Sequence, residues 1–261
     1  MPRLCSGCAK LQVTKRKLDL TGCSGHIQRM KHFPVTMTNG LLRLMMIALL
    51  WITAFQVQCE DEKEPVAPDL EAKDWKPLFD GKTMEGWKET NFAGKGEARV
   101  KDGAIEIDMG LALSGVNYTN QPPKINYEIT LEAMKRDGGD FFCGLTVPYK
   151  DEHFTFVCGG WGGGVIGVSS INGMDASENE TTEYKKFEKN QWYRITLRVL
   201  DDRIQAWIDG KLFVDVSTVD VSISMRIGEI EESIPLGVAT YMTSAAIRDI
   251  RLRKLPEKTK E

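Results

Sequence analysis

The sequence predicts an all-β protein, built as a sandwich of two antiparallel sheets in one domain. Three observations carry this. Beyond Trp75, apolar and polar residues alternate with period two, helical periodicity is weak, and Asp-Gly pairs separate the alternating runs. In "INYEITLEA" the alternation sets Ile125, Tyr127, Ile129, Leu131 and Ala133 on one face and Asn126, Glu128, Thr130 and Glu132 on the other. "WYRITLRV" and "RIQAWI" behave alike, with Tyr193, Ile195, Leu197 and Val199, then Ile204, Ala206 and Ile208, on the apolar face. Asp102-Gly103 and Asp209-Gly210 sit between such runs, and Asp-Gly accepts the positive φ angles of tight hairpin turns.

One hairpin can be drawn in register. In "FFCGLTVPYKDEHFTFVCGG" a polar turn at residues 149–152 pairs Pro148 with His153, Val147 with Phe154, Leu145 with Phe156 and Cys143 with Cys158. That face is expected to be buried. The opposite face carries Phe142, Gly144, Thr146, His153, Thr155, Val157 and Gly159, mostly small or polar. Cys143 and Cys158, placed opposite each other, are candidates for a disulfide; two small buried thiols are the alternative.

Charge is uneven along the chain. Of 34 Lys and Arg and 37 Asp and Glu, eight bases and one acid fall in residues 1–43, leaving 26 bases against 36 acids beyond. The bulk of the chain is therefore acidic, which argues against nucleic acid and anionic membrane surfaces as its partners. Residues 44–57, "LMMIALLWITAFQV", are apolar and uncharged. Fourteen residues are short for a spanning helix and suit the core of an export signal. Val57 and Cys59 offer a cleavage site; lipidation at Cys59 or retention as a membrane anchor are the alternatives. Each places the remainder outside the cytoplasm, whether periplasmic, extracellular or membrane-anchored.

The expected organisation follows. Residues 1–36 are an extension upstream of the true start or a disordered segment, 37–59 the signal or anchor, and 60–74 a charged linker. Residues 75–255 form the sandwich and 256–261 a solvated tail. Cys5, Cys8, Cys23 and His26 have the spacing of a Cys3His zinc site, but a zinc finger ahead of an export signal makes little physical sense.

The stretch "CGGWGGGVIG" (158–167) formally matches G-x-G-x-x-G at Gly162, Gly164 and Gly167. A dinucleotide fingerprint needs a helix after it, whereas "VIGVSSI" is strand-like, so the phosphate reading fails. Glycine within strands instead marks a bend or a close approach by a ligand. Gly160 and Gly162 beside Trp161 then form a bare surface next to an aromatic plate, which suits the C–H face of a sugar; a sharp bend closed by Trp161 is the alternative.

At this point "PLFDGKTMEGW" (77–87) resembles the opening of the 3-keto-disaccharide hydrolase domains, also described as 3-keto-glucoside lyase/hydratase domains. "NQWYRITLRVLDDRIQAWIDGKLFVD" and "GVATYMTSAAIRDIRLRKL" are similar to the later strands of concanavalin A-like sandwiches. The resemblance covers about residues 75–255. It implies a concanavalin A-like jelly roll and cleavage of glycosides already oxidised at C3. The ketone acidifies the C2 proton, a base removes it, the glycosidic oxygen leaves C1, and water adds to the enone. An oligosaccharide or 3-keto sugar would be the partner. The family's "N-S-G-I/V" and "E-x-Q-I-L-D" strands have no counterpart here, so no catalytic residue is carried over. A non-catalytic carbohydrate-binding module is the alternative function.

Proton-transfer groups come from the residues themselves. Asp140 begins the strand leading into Phe142, His153 flanks the polar turn of the hairpin, and Glu178 and Glu180 sit in the oxygen-rich loop "GMDASENETT". That loop also offers Asn179 to a sugar and, through Asp175, a ligand for a divalent metal such as Ca²⁺, against the plainer reading of a solvated acidic loop. Asn117 and Asn179 match glycosylation sequons.

Overall fold

The structure, a computed structural model, describes residues 65–256. Two antiparallel sheets face each other. In spatial order, the first holds β13 (Lys211–Ser217), β12 (Arg203–Ile208), β11 (Trp192–Val199), β6 (Tyr127–Gly138), β15 (Thr243–Lys254), β4 (Ala104–Ile107) and β3 (Ala98–Lys101), with β1 (Lys76–Pro77) beside β15. The second holds β10 (Glu183–Tyr184), β9 (Val165–Ser169), β8 (Glu152–Gly159), β7 (Cys143–Tyr149), β14 (Gly237–Tyr241), β5 (Leu113–Tyr118) and β2 (Trp87–Glu89). Alternation decides which side chains meet. Ile129 and Leu131 of β6 and Ile195 and Leu197 of β11 pack in one core with Leu145, Val147, Phe154 and Phe156 of the second sheet. The Tyr127 hydroxyl crosses the core to donate to the Pro148 carbonyl at 2.6 Å.

The turns follow from chemistry written in the sequence. Asp102-Gly103 and Asp209-Gly210 both adopt positive φ, at 51° and 80° and at 52° and 77°, and they join β3 to β4 and β12 to β13. In "LFDGK" the Asp80 carboxylate accepts the Lys82 and Thr83 amides at 2.7 and 2.8 Å, and these bonds hold its pKa below the ordinary carboxylate value. The Trp87 indole donates to the Leu78 carbonyl at 2.8 Å, closing the same turn. This opening motif therefore builds a corner of the fold.

The outer face of the first sheet buries a charge. Glu128 is fully buried, and its two oxygens accept from Arg198 Nε and Arg253 Nε, each at 2.5 Å. Arg198 lies over the Trp207 ring and Arg253 over the Trp75 ring, at 5.0 and 4.7 Å. Removing one member of such a pair leaves uncompensated charge. Glu128→Ala should lower unfolding stability by about 3–5 kcal/mol, whereas a substitution at the exposed Glu183 should stay within about 0.5 kcal/mol, as read from urea midpoints.

The β7–β8 hairpin has the register that alternation predicts, from Cys143 opposite Cys158 to Tyr149 opposite Glu152. The two cysteines are free thiols, both fully buried, rather than a disulfide. Burial pushes the Cys143 thiol up to about 12 and Cys158 well above its ordinary value, with Cys143 adding to the latter. Both folded pKa values are raised, so the stability linked to the neutral thiols is complete below the unfolded value. It is lost as pH rises from about 8.5 towards the folded values. In native protein at pH 8 neither thiol should react with a soluble disulfide reagent, and both should react after denaturation without reductant.

Candidate functional site

A cavity of about 400 Å³ opens on the outer face of the second sheet. Its lining residues sit beside small outward positions on the central strands. Gly144, Ala239 and Gly115 lie side by side across β7, β14 and β5. A Cβ on Gly144 would stand 3.1 Å from the Phe141 ring, and one on Gly115 would stand 2.7 Å from the Val238 carbonyl. Beside them, Thr155 of β8 pairs with Ser169 of β9, which brings two hydroxyl side chains together on the floor.

The glycine-rich stretch forms a wall of this cavity. After β8 the chain turns through Gly159, Trp161, Gly162 and Gly163 with φ of 81°, 47°, 88° and 102°. Trp161 itself takes the left-handed conformation, which costs a non-glycine residue roughly 1–2 kcal/mol. Gly159, Gly162 and Gly163 around it adopt positive φ without that penalty. The indole is consequently turned outward, 42% exposed, and lines the cavity. The turn is tied across to Asp140, whose Oδ2 accepts the Gly162 amide at 3.0 Å while Oδ1 accepts the Phe141 amide at 2.8 Å. Lys135, buried at the end of β6, packs beneath. A Cβ on Gly163 would stand 3.2 Å from its Nζ. Burial lowers the Lys135 ammonium, and the nearby Asp140 carboxylate pulls it back up.

Opposite this wall, the long connection from β13 to β14 (residues 218–236) covers part of the floor and contributes Arg226, Ile227, Glu229 and Ile230. Arg226 is held by Asp175 Oδ2 at 3.1 Å, and Asp175 Oδ1 accepts the Ser169 hydroxyl at 3.0 Å. Tyr241 completes the rim, its ring stacked on Phe141 at 6.0 Å and 25°.

Of the residues singled out in the sequence, the structure brings Asp140, Trp161 and Gly162 together at the cavity. The others lie elsewhere. Phe142 is fully buried and packs on Phe187 and Tyr193, with centroids 4.9 and 6.1 Å away. The alternation breaks where β7 begins, and Phe141 takes the cavity position instead. Gly160 is buried behind the turn. His153 shares the outer face with Thr155 but lies outside the cavity lining, and burial lowers its pKa. Glu178 and Glu180 are exposed and away from the cavity. Asp175 anchors Arg226, and among the described residues no group of three His, Cys, Asp or Glu is placed to hold a metal.

Asn179 is a structural residue. Its amide nitrogen donates to the carbonyls of Val168, Met174 and Asp175 at 2.8–3.0 Å, and its oxygen accepts the Thr181 amide at 2.9 Å. Asn117 is likewise buried, donating to the Glu232 and Ile234 carbonyls. Neither nitrogen is open to a glycosylating enzyme. Asn179→Ala should cost about 1–3 kcal/mol of stability through the orphaned carbonyls, measured by chemical denaturation. The Cys5–His26 motif and the 44–57 apolar segment lie outside the described residues. Among those described, no helix is long and apolar enough to cross a membrane.

Residues 74–253 match the family described as the 3-keto-alpha-glucoside-1,2-lyase-like domain. No curated protein sequence matches the chain. Among solved structures, a mutant of SCLam, a non-specific endo-β-1,3(4)-glucanase of family GH16 crystallised with a cellobiosyl-cellobiose, aligns with TM-score 0.50. It is 10% identical and covers 73% of this chain and 98% of that one. The carbohydrate-binding module CBM66 of Bacillus subtilis aligns at TM-score 0.43 and 11% identity, over 65% of this chain and 96% of that one. Domain 4 of the arabinanase AbnA of Geobacillus stearothermophilus, in complex with arabinotriose, gives TM-score 0.43 and 11% identity, over 66% and 84%. At such identity the glucanase likeness speaks for the fold alone. The family match spans most of the chain, and the protein belongs to the 3-keto-alpha-glucoside-1,2-lyase-like domain family.

Proposed function

We propose that the protein cleaves 3-keto-glycosides in the cavity between Trp161 and Arg226, and that the 44–57 segment directs it out of the cytoplasm. The observation that carries the catalytic part is the Asp140 carboxylate. It lines the cavity beside an outward-turned indole and is held there by two backbone amides. A carboxylate fixed in this way meets the geometric need of a general base. In the proposed reaction Asp140 takes the C2 proton made acidic by the C3 ketone. The C2 electron pair forms the C1–C2 double bond, the C1–O bond breaks, and the departing oxygen receives a proton from Tyr241 or from water. Water then adds across the enone, giving 3-keto-glucose. Arg226 donates hydrogen bonds to sugar oxygens, the Thr155 and Ser169 hydroxyl oxygens accept from sugar hydroxyls, and Trp161 packs on the ring's C–H face.

A second reading has its own support. Both Asp140 oxygens already accept amide hydrogen bonds, and the family's carboxylate–glutamine strand is missing, as a non-catalytic binding module would allow. The two readings separate on one assay. Purified protein given 3-keto-glucosides should release 3-keto-glucose above the spontaneous rate, and Asp140→Asn should lower that rate by about 10²–10⁴-fold. Glu178→Gln and Glu180→Gln should leave it unchanged. Glycan binding without release would favour the binding module.

A further inference from the structure

The cavity is chemically divided along the order of its strands. At the β8–β9 end lie Thr155, Ser169 and the Asp175-anchored Arg226. At the β14–β5 end Leu113 pairs with Tyr241, and Ile230 packs with Leu113, Ala239, Phe92 and Phe141 in an apolar cluster on the outer face of the sheet. Four inter-strand spacings separate β9 from β5 in the strand order. At about 4.8 Å each they span roughly 19 Å, longer than one pyranose ring. β7 lies between the two ends, and Asp140 stands immediately before it.

Apolar side chains also continue beyond the cavity at the second end. Leu111 is 85% exposed and Met242 50% exposed, and they adjoin Leu113 and Tyr241 in the chain. The Met242 amide donates to the Ala112 carbonyl at 3.0 Å, so the two segments meet at this rim. An exposed apolar patch continuous with a ligand cavity marks a surface that is covered when the ligand binds. Apart from the Tyr241 hydroxyl and the Glu229 carboxylate beside Ile230, a second sugar would find apolar surface there, and hydroxyls set against it would lose water without replacement.

We infer that the ligand is a glycoside whose aglycone is apolar, an aryl or alkyl group, rather than a second sugar. The sugar lies at the Trp161–Arg226 end, the aglycone against Leu113, Ile230 and Tyr241, and the glycosidic bond between them at Asp140. This rests on the reading of the cavity as a glycoside site. It adds which class of glycoside the site selects, and selection acts through burial of aglycone surface.

The test uses unoxidised methyl and phenyl glucosides of the same anomeric form, and the matching octyl glucoside below its micelle concentration, with binding read by ligand-observed NMR. The account expects phenyl and octyl glucosides to bind at least ten-fold more tightly than methyl glucoside. Ile230→Asn should collapse that ratio towards one, and its circular dichroism and melting temperature should match wild type. If Ile230→Asn is poorly folded, Leu111→Ser on the exposed rim replaces it, and the octyl-to-methyl ratio should fall. Equal affinity for all three glucosides overturns the aglycone inference while leaving the sugar site standing. No binding of any glucoside, with cellobiose and maltose also silent, overturns both. Tighter binding of the disaccharides than of the phenyl glucoside overturns the aglycone inference in favour of a second sugar.

Discussion

The hydrogen bond from the Gly162 amide to the Asp140 carboxylate is the constraint on which the site depends. It ties the turn after β8 to the segment before β7, and so fixes an indole and a carboxylate against each other at the ends of two central strands of the second sheet. Trp161 is held in a left-handed conformation that glycine neighbours make accessible, and the ring faces outward as a consequence. The glycines thus serve the backbone path, and the path serves the aromatic plate. Bend and ligand surface, which the sequence leaves as alternatives, are one feature in the structure.

The motifs that carry the family resemblance do a different job. "LFDGK" is an Asp80-capped turn closed by the Trp87 indole, and the Asp209-Gly210 pair is a hairpin turn. They are informative about the fold because their side chains satisfy backbone groups that any member must satisfy. They say little of chemistry, since of all the motifs behind the resemblance only Tyr241, in the last of them, lines the cavity. The residues that do line it lie on β5, β8, β9 and β14, on the segments before β7 and after β8, and on the long β13–β14 connection.

What could be read in the sequence follows the same division. The hairpin from Cys143 to Cys158 was legible to the register, because a one-residue slip would have put Phe154 and Phe156 in water. Phe142 was misplaced because parity fails just ahead of the strand's first residue, Cys143; the Phe142 amide still reaches the Cys158 carbonyl at 3.3 Å. Asn179 looked like a ligand residue, and only the three carbonyls around its nitrogen show otherwise. Arg226, Glu229, Ile230 and Tyr241 were missed because they lie more than sixty residues beyond Trp161 and share no motif with it. One signal was present. Residues 218–236 form a connection too long and too weak in strand pattern for a simple turn, and such loops commonly carry function.

The central claim is that a glycoside lies on the outer face of the second sheet, across Asp140. Backbone amide chemical shifts, followed by NMR as phenyl glucoside is added, test it most directly. The account predicts that the amides of Phe141, Gly162, Ser169 and Tyr241 shift together along one saturation curve, while those of β11 and β12 stay still. Shifts confined to the first sheet, or a spectrum that does not respond to any glycoside, would contradict it.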